Sequence, residues 1–450
     1  MLGTLIIIVF VVGYACIALE HNIKVDKAAS ALITGMLCWT IYVFSLHGNH
    51  DVGHLIEHGD ASIPFRGGLI HHLYEIASIL FFLLGAMTIV ELVDAHEGFS
   101  IITDRIKTNK KVTLLWILSI LTFFLSAALD NLTTSIVMVS LLRKLIKDTG
   151  TRWFFAGFVV IAANSGGAWS PIGDVTTTML WIKGQLPNVP SMIFTLLIPS
   201  LISMLVPLIA CSFILKGSVE RPMASHGAEH YLQPVSKRIK TLVFFGGVLG
   251  LLFVPIFKTV THLPPFMGMM LSLGVLWAIT EMLHKRSLNN TERRHLTVVS
   301  VLQKIDVASV LFFLGILMAV SALQEFGHLN RVAQTLDSQL KDIYSINILV
   351  GLLSALVDNV PLVAAAQGMY EIAPIDTIDP WSKNFVSNGP FWQFLAYCAG
   401  TGGSALIIGS AAGVAIMGLE KIDFFWYLKK ISWLAILGYF AGAAAYILMF

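Results

Sequence analysis

Charge is what this chain has least of. Asp, Glu, Lys and Arg make up 12% of its 450 residues, while 56% are hydrophobic. Soluble globular proteins carry about twice that charged fraction, so a soluble enzyme with a membrane anchor is excluded, and nucleic acid is no partner. Cysteine is equally sparse: Cys16, Cys38, Cys211 and Cys398 lie in apolar runs and form no C-x-x-C pair, so neither disulfides nor a zinc site is indicated. There is no H-E-x-x-H, and Pro171-Ile172-Gly173-Asp174 lacks the first glycine of a G-x-G-D motif. Nothing supplies a nucleophile with its base, and the chain is not read as an enzyme. Residues 1–19 lack the basic region and small-residue cleavage site of a secretory signal, which predicts a retained first helix. With a mean hydropathy of +0.78, the composition predicts an all-α polytopic membrane protein.

A crossing helix needs about 20 residues. Ten segments qualify: 2–19, 28–46, 71–94, 153–183, 191–215, 239–257, 264–283, 305–326, 391–419 and 424–449. Two further apolar regions, 112–147 and 345–373, divide at an Asp-Asn pair into arms of about 12–17 residues, too short to span singly. Each is expected to be a re-entrant hairpin with Asp-Asn at its tip, and irregular backbone at membrane depth belongs in protein or against a wet cavity. Placing the N-terminus outside puts 23 of the 29 Lys and Arg in the cytoplasmic segments, as the positive-inside rule requires.

The two hairpin tips repeat each other. Ser126-Ala127-Ala128-Leu129-Asp130-Asn131 returns 228 positions later as Ser354-Ala355-Leu356-Val357-Asp358-Asn359. After the first tip come Asn164-Ser165-Gly166-Gly167 and Gly173; after the second come Gly400-Thr401-Gly402-Gly403 and Gly409. These glycines interrupt spans 153–183 and 391–419. Five spans per half is an odd number, so the second copy enters upside down. The expected organisation is a first repeat over 1–215, a cytoplasmic linker over 216–238 and a second, inverted repeat over 239–450, with broken helices meeting near the midplane.

An ionisable residue at membrane depth is a functional hypothesis by default. The first half offers Asp130, Asn131, Thr133 and Thr134 at the tip, with Asn164, Ser165, Ser170, Asp174, Thr176 and Thr177 from the broken helix. The second half offers Ser354, Asp358, Asn359, Thr401, Ser404 and Ser410. Nearly all are oxygen donors, which suit hard cations, and Na⁺ is expected at Asp130, Asp358, Thr133 and Asn164. Other purposes stay open. Asp130 with Thr133 also has the makings of a helix N-cap, the glycines suit close helix packing, and Asp174 is either a third ligand or a cap. Glu75 and Glu91 are candidates for a proton path, whereas Asp94 and Glu325 read as helix-end charges. His50, His54 and His58 share a helical face if the outer loop is helical, although a solvated loop is the plainer expectation. Asp130 and Asp358 are expected to face one cavity, where like charges would let protons compete with Na⁺.

The S-A-x-x-D-N tips, the run Asn164–Thr178 and the run Gly400–Ser404 resemble the NhaD-type sodium/proton antiporters of the ion-transporter superfamily. The resemblance covers essentially the whole chain. It implies a multi-pass protein of the bacterial inner membrane, active in pH homeostasis, that exports Na⁺ or Li⁺ in exchange for H⁺ without a cofactor. The fold it implies has a scaffold domain that forms a homodimer and a transport domain that slides like an elevator. Carried over by position, it supports Asp130, Asn131, Thr133, Asn164, Asp174, Thr176, Ser354, Asp358 and Asn359 as site residues. The superfamily's dicarboxylate carriers resemble the same pattern with a neutral Ser-Asn-Thr at the tips. The two aspartates here argue against a dianionic substrate.

Overall fold

The computed structural model describes residues 2–18, 20–47, 64–103, 105–222, 235–284 and 296–450. Among them every regular element is a helix. The first half runs α1 (Leu2–Ala18), α2 (Lys27–His47), α3 (Pro64–Ala95), α4 (Lys111–Leu129), α5 (Asn131–Leu145), α6 (Thr149–Gly167), α7 (Val175–Ile182) and α8 (Val189–Ile214). The second runs α9 (Lys237–Thr261), α10 (Pro265–His284), α11 (Val307–Glu325), α12 (His328–Leu340), α13 (Ile343–Leu353), α14 (Asn359–Met369), α15 (Pro390–Gly402), α16 (Ala411–Glu420), α17 (Phe424–Lys430) and α18 (Ser432–Met449). His50, His54 and His58 lie outside the described residues.

Eight of these helices are long and apolar enough to cross a bilayer: α2, α3, α4, α8, α9, α10, α11 and α18. Large apolar side chains cover their outer surfaces, among them Phe194, Phe213, Val260 and Met282, as a lipid solvent permits. The chain is a multi-pass membrane protein. Spans 153–183 and 391–419 are each broken in two, as their glycines predict. Span 424–449 divides at Ile431, and α1 is 17 residues long.

One expectation needs correcting. The leading arm of the first hairpin is not too short to span: α4 has 19 residues. Thr122 and Ser126 inside it do not stop the helix because their hydroxyls find acceptors. Thr122 Oγ1 donates to the Leu118 carbonyl at 2.6 Å, and Ser126 Oγ donates to the Ala163 carbonyl at 2.6 Å. The chain still reverses at one residue, Asp130, and α4 and α5 pack on each other. The second hairpin has the expected short arms, 11 residues each. The amphipathic helix α12 was not foreseen from the sequence.

Packing partners are exchanged between the halves. Helix α2 packs on α11 while α10 packs on α3; α5 packs on α16 while α14 packs on α7. Within each half, α4 packs on α6 and α13 on α15. One large apolar core joins α2, α3, α9, α10 and α11, and others fill the space around α4–α8 and α13–α18. The broken helices α6–α7 and α15–α16 lie at the centre of the exchanged contacts.

Candidate ion-binding site

The site begins where α4 ends. Asp130 takes φ +85° and ψ +158°, a conformation that favours glycine and costs a non-glycine residue roughly 1–3 kcal/mol. Its carboxylate offsets this by capping α5: Oδ1 accepts from the Thr133 N–H and Oδ2 from Thr133 Oγ1, both at 2.8 Å. The cap reading of Asp130 and Thr133 is therefore real, and it leaves the carboxylate half-buried at the tip.

The next residue turns inward. Asn131 Nδ2 donates to Asp174 Oδ2 at 2.7 Å and to Asn164 Oδ1 at 3.1 Å. From the other tip, Asn359 Nδ2 donates to the Asp174 oxygens at 3.3 and 3.4 Å. Asp174 thus receives both tip amides. It also caps α7, its Oδ1 accepting from the Thr176 N–H and Oγ1 at 2.9 Å. Asn164 closes the circuit with the second half, its Nδ2 donating to Ser404 Oγ at 3.0 Å and Ser410 Oγ at 2.9 Å. Asp174, Asn131, Asn359 and Asn164 are all buried, at 3% exposure or less.

Glycine makes this convergence sterically feasible. A Cβ on Gly166 would overlap the Phe123 carbonyl of α4, and one on Gly402 would overlap the Gly351 carbonyl of α13. Alanine normally favours a helix over glycine by about 1 kcal/mol; here the sign should reverse. Gly166→Ala and Gly402→Ala should both lower the thermal midpoint in detergent, and an unchanged midpoint would show that the helices can separate freely.

Four helix N-termini surround the centre: α5 capped by Asp130, α7 by Asp174, α14 by Asp358 and α16 by Ser410. Helix N-termini attract negative charge, and here three protein carboxylates already occupy them. Asp174 is tied to both tips through Asn131 and Asn359, the residues that directly follow Asp130 and Asp358. None of the three takes part in a salt bridge among the described residues. Unpaired carboxylates out of water are costly, so the cluster calls for a bound cation or for protons.

Asp358 opens on a space lined from α1, α2 and α11, and Asp130 is not part of that lining. Asp174 is the common neighbour. Several candidates turn out to hold the scaffold of the site. Ser354 Oγ donates to the Ala399 carbonyl at 3.0 Å, the counterpart of the Ser126 bond. Thr401 Oγ1 donates to the Tyr397 carbonyl of its own helix at 2.6 Å. Ser170 and Thr177 bond to loop and tip carbonyls, and Ser165 meets Ser203. By contrast, Thr134 Oγ1 and the neighbouring Ser135 Oγ are buried with no protein partner.

Glu75 pairs with Lys183 at 2.8 Å, and Glu325 with His72 at 2.9 Å; Glu91 is 3.8 Å from Lys304. Sequence reasoning missed a carboxylate at the basic end of α5. The side chain of Glu420 is 1% exposed, and it accepts from Arg143 Nε at 2.7 Å and Arg152 Nε at 2.6 Å. Trp153 Nε1 adds a bond to its carbonyl at 2.9 Å. This clamp fastens α16 to the α5–α6 corner. An acidic residue closing an apolar run was its one signal.

Comparison with known proteins adds a family. The profile described as Citrate transporter (CitMHS) matches residues 7–387. Sodium/proton antiporter 1 of Arabidopsis thaliana is 45% identical over 98% of this chain and 71% of its own length. Sodium/proton antiporter 2 of the same plant is 43% identical over 98% of both chains. The Na(+)/H(+) antiporter NhaD of Vibrio cholerae is 31% identical over 100% of this chain and 92% of its own.

Proposed function

The chain belongs to the citrate-transporter family, among its NhaD-type members, and on that premise we propose that it is a secondary active antiporter exchanging Na⁺ or Li⁺ for H⁺. The observation that carries this is Asp174, buried between the two tip asparagines that follow Asp130 and Asp358, with no salt-bridge partner among the described residues. Ionised, the carboxylates hold a dehydrated cation together with oxygens of Asn131, Asn164, Thr133 and Asn359. Protonated, they release it. Cation and protons thus compete for one cluster, and coupling follows because the same groups carry either load.

Alternating access is proposed to be elevator-like, with α4–α8 and α13–α18 moving against α1–α3 and α9–α11. The reciprocal packing of the halves supports an inverted repeat. A homodimer through the scaffold, a part in pH homeostasis and a location in the bacterial inner membrane belong to the same proposal. The relatives from Arabidopsis thaliana show that similar chains are not confined to bacteria.

The family's description favours a second reading, a Na⁺-coupled carrier of citrate or a dicarboxylate. Such an anion would have to meet helix N-termini already capped by three carboxylates, and like charges disfavour it. The test is cation-induced dequenching of a ΔpH-sensitive dye in everted vesicles from an antiporter-deficient strain. Response to Na⁺ or Li⁺ supports exchange. Silence towards both, with Na⁺-driven uptake of labelled citrate or succinate, would replace it with the anion reading.

Asn164→Ala provides a finer check. It strips partners from Asn131, Ser404 and Ser410, and an unpaired buried polar group costs about 1–3 kcal/mol. The apparent KM for Na⁺ should rise on the order of tenfold; an unchanged KM would remove Asn164 from the ion's surroundings.

A further inference from the structure

Asp358 lines a cavity of about 70 Å³, room for roughly two waters. Tyr14 of α1, Glu20, Lys27 of α2, Phe312 of α11 and Met417 of α16 line it with Asp358. The Lys27 ammonium lies 4.8 Å from the centroid of the Phe312 ring. It forms no salt bridge among the described residues, and it lines the same cavity as Asp358. An ammonium on an aromatic face, opposite a carboxylate it does not touch, leaves a gap between the two charges. Water or a small cation fits there.

Two features assign the cavity to the cytoplasmic side. Glu20 and Lys27 border the α1–α2 connection, where Lys24 and Lys27 supply two of the lysines counted on the cytoplasmic side. On the opposite wall, Met417 lies one turn before Glu420, which Arg143 and Arg152 clamp at the basic end of α5 and α6. Excess Lys and Arg mark the cytoplasmic face.

We propose that this cavity is the cytoplasmic passage by which the cation reaches Asp358, and that Lys27 is a tethered counter-cation that sets the affinity of that carboxylate for Na⁺. The inference rests on the antiport reading and adds a specificity-determining residue outside the binding cluster. With no ion present, the ammonium partly balances Asp358. An arriving Na⁺ must bind against it, so Lys27 holds affinity down and speeds release. Glu20 carries the opposite charge on the same lining and favours the approach of a cation. Phe312 fixes the ammonium by a cation–π contact, which keeps it from collapsing onto Asp358 and closing the passage.

Everted vesicles expose this face to the added cation, so the dye assay reads the passage directly. Measured at alkaline pH to suppress proton competition, Lys27→Gln should lower the apparent KM for Na⁺ about five- to tenfold, the scale of one charge acting across a few ångströms of protein and water. Maximal dequenching should be retained. Lys27→Arg keeps the charge and should keep the wild-type KM, whereas Glu20→Gln should raise it. A KM unmoved or raised by Lys27→Gln, or a shift in the same direction for Lys27→Gln and Glu20→Gln, would overturn the proposal. If the unmodified protein gives no cation-driven dequenching, it is the antiport reading itself that fails. A second readout does not depend on transport rate. In a background without the four native cysteines, Met417→Cys should react with a membrane-impermeant thiol reagent in everted vesicles and be protected in right-side-out ones; the reverse pattern would place the passage on the other face.

Discussion

Asp130→Asn should yield a folded protein that exchanges no cation. The substitution separates the two purposes this residue could serve. Asparagine caps a helix about as well as aspartate, and its amide oxygen can still accept from the Thr133 N–H, so a residue that merely capped α5 would tolerate the change. A carboxylate that carries the ion and the proton would not, because the amide neither titrates nor supplies charge. The same holds for Asp358, the cap of α14. Cation-driven dequenching should fall to the background of empty vesicles in both variants, with normal expression and a thermal midpoint within a few degrees of the parent. Normal exchange in both would end the claim that the hairpin tips carry the transported charges.

Glu420→Gln should have the largest effect on stability. Removing one member of a buried ion pair typically costs about 3–5 kcal/mol. Here the carboxylate is 1% exposed and faces two guanidinium groups. Arg143 is 49% exposed and Arg152 19%; water can solvate the first once its partner is gone, so about 3 kcal/mol is expected. Unfolding in detergent should move to lower temperature or lower denaturant. Arg152→Met should be more damaging than Arg143→Met, since the more buried guanidinium contributes more of the clamp. Equal stability of all three variants with the parent would make the clamp a surface ornament.

The parts of this molecule that repeat were legible from sequence. Two copies of S-A-x-x-D-N and two glycine runs predicted the tips and the broken helices, because each copy serves as a check on the other. Local chemistry predicted the rest only where a residue acts locally. Asp174 could be read as a cap or a ligand; it caps α7 and at the same time receives both tip amides, which one strand of sequence cannot express. The bond from Asn164 to Ser410 joins residues 246 positions apart and leaves no periodic trace. Thr401 shows the opposite case: a threonine within a helix can satisfy its donor on the carbonyl four residues back, and Thr401 Oγ1 does so on Tyr397, which no sequence pattern announces. The length of α4 was underestimated: dividing 112–147 at Asp-Asn gave arms of about 12–17 residues, whereas the helix runs for 19, from Lys111 to Leu129.

The exchange of partners between the halves constrains the order in which this protein can be made. While the ribosome has released only the first half, Asn164 has neither Ser404 nor Ser410, Asp174 has one tip amide instead of two, and α5 has no α16 to lean on. The nascent half must wait in the bilayer with its most polar loop incomplete, shielded by water or by the insertion machinery, until the last hundred residues arrive. Assembly of the centre is therefore a late event, since its polar network closes only when both halves are present.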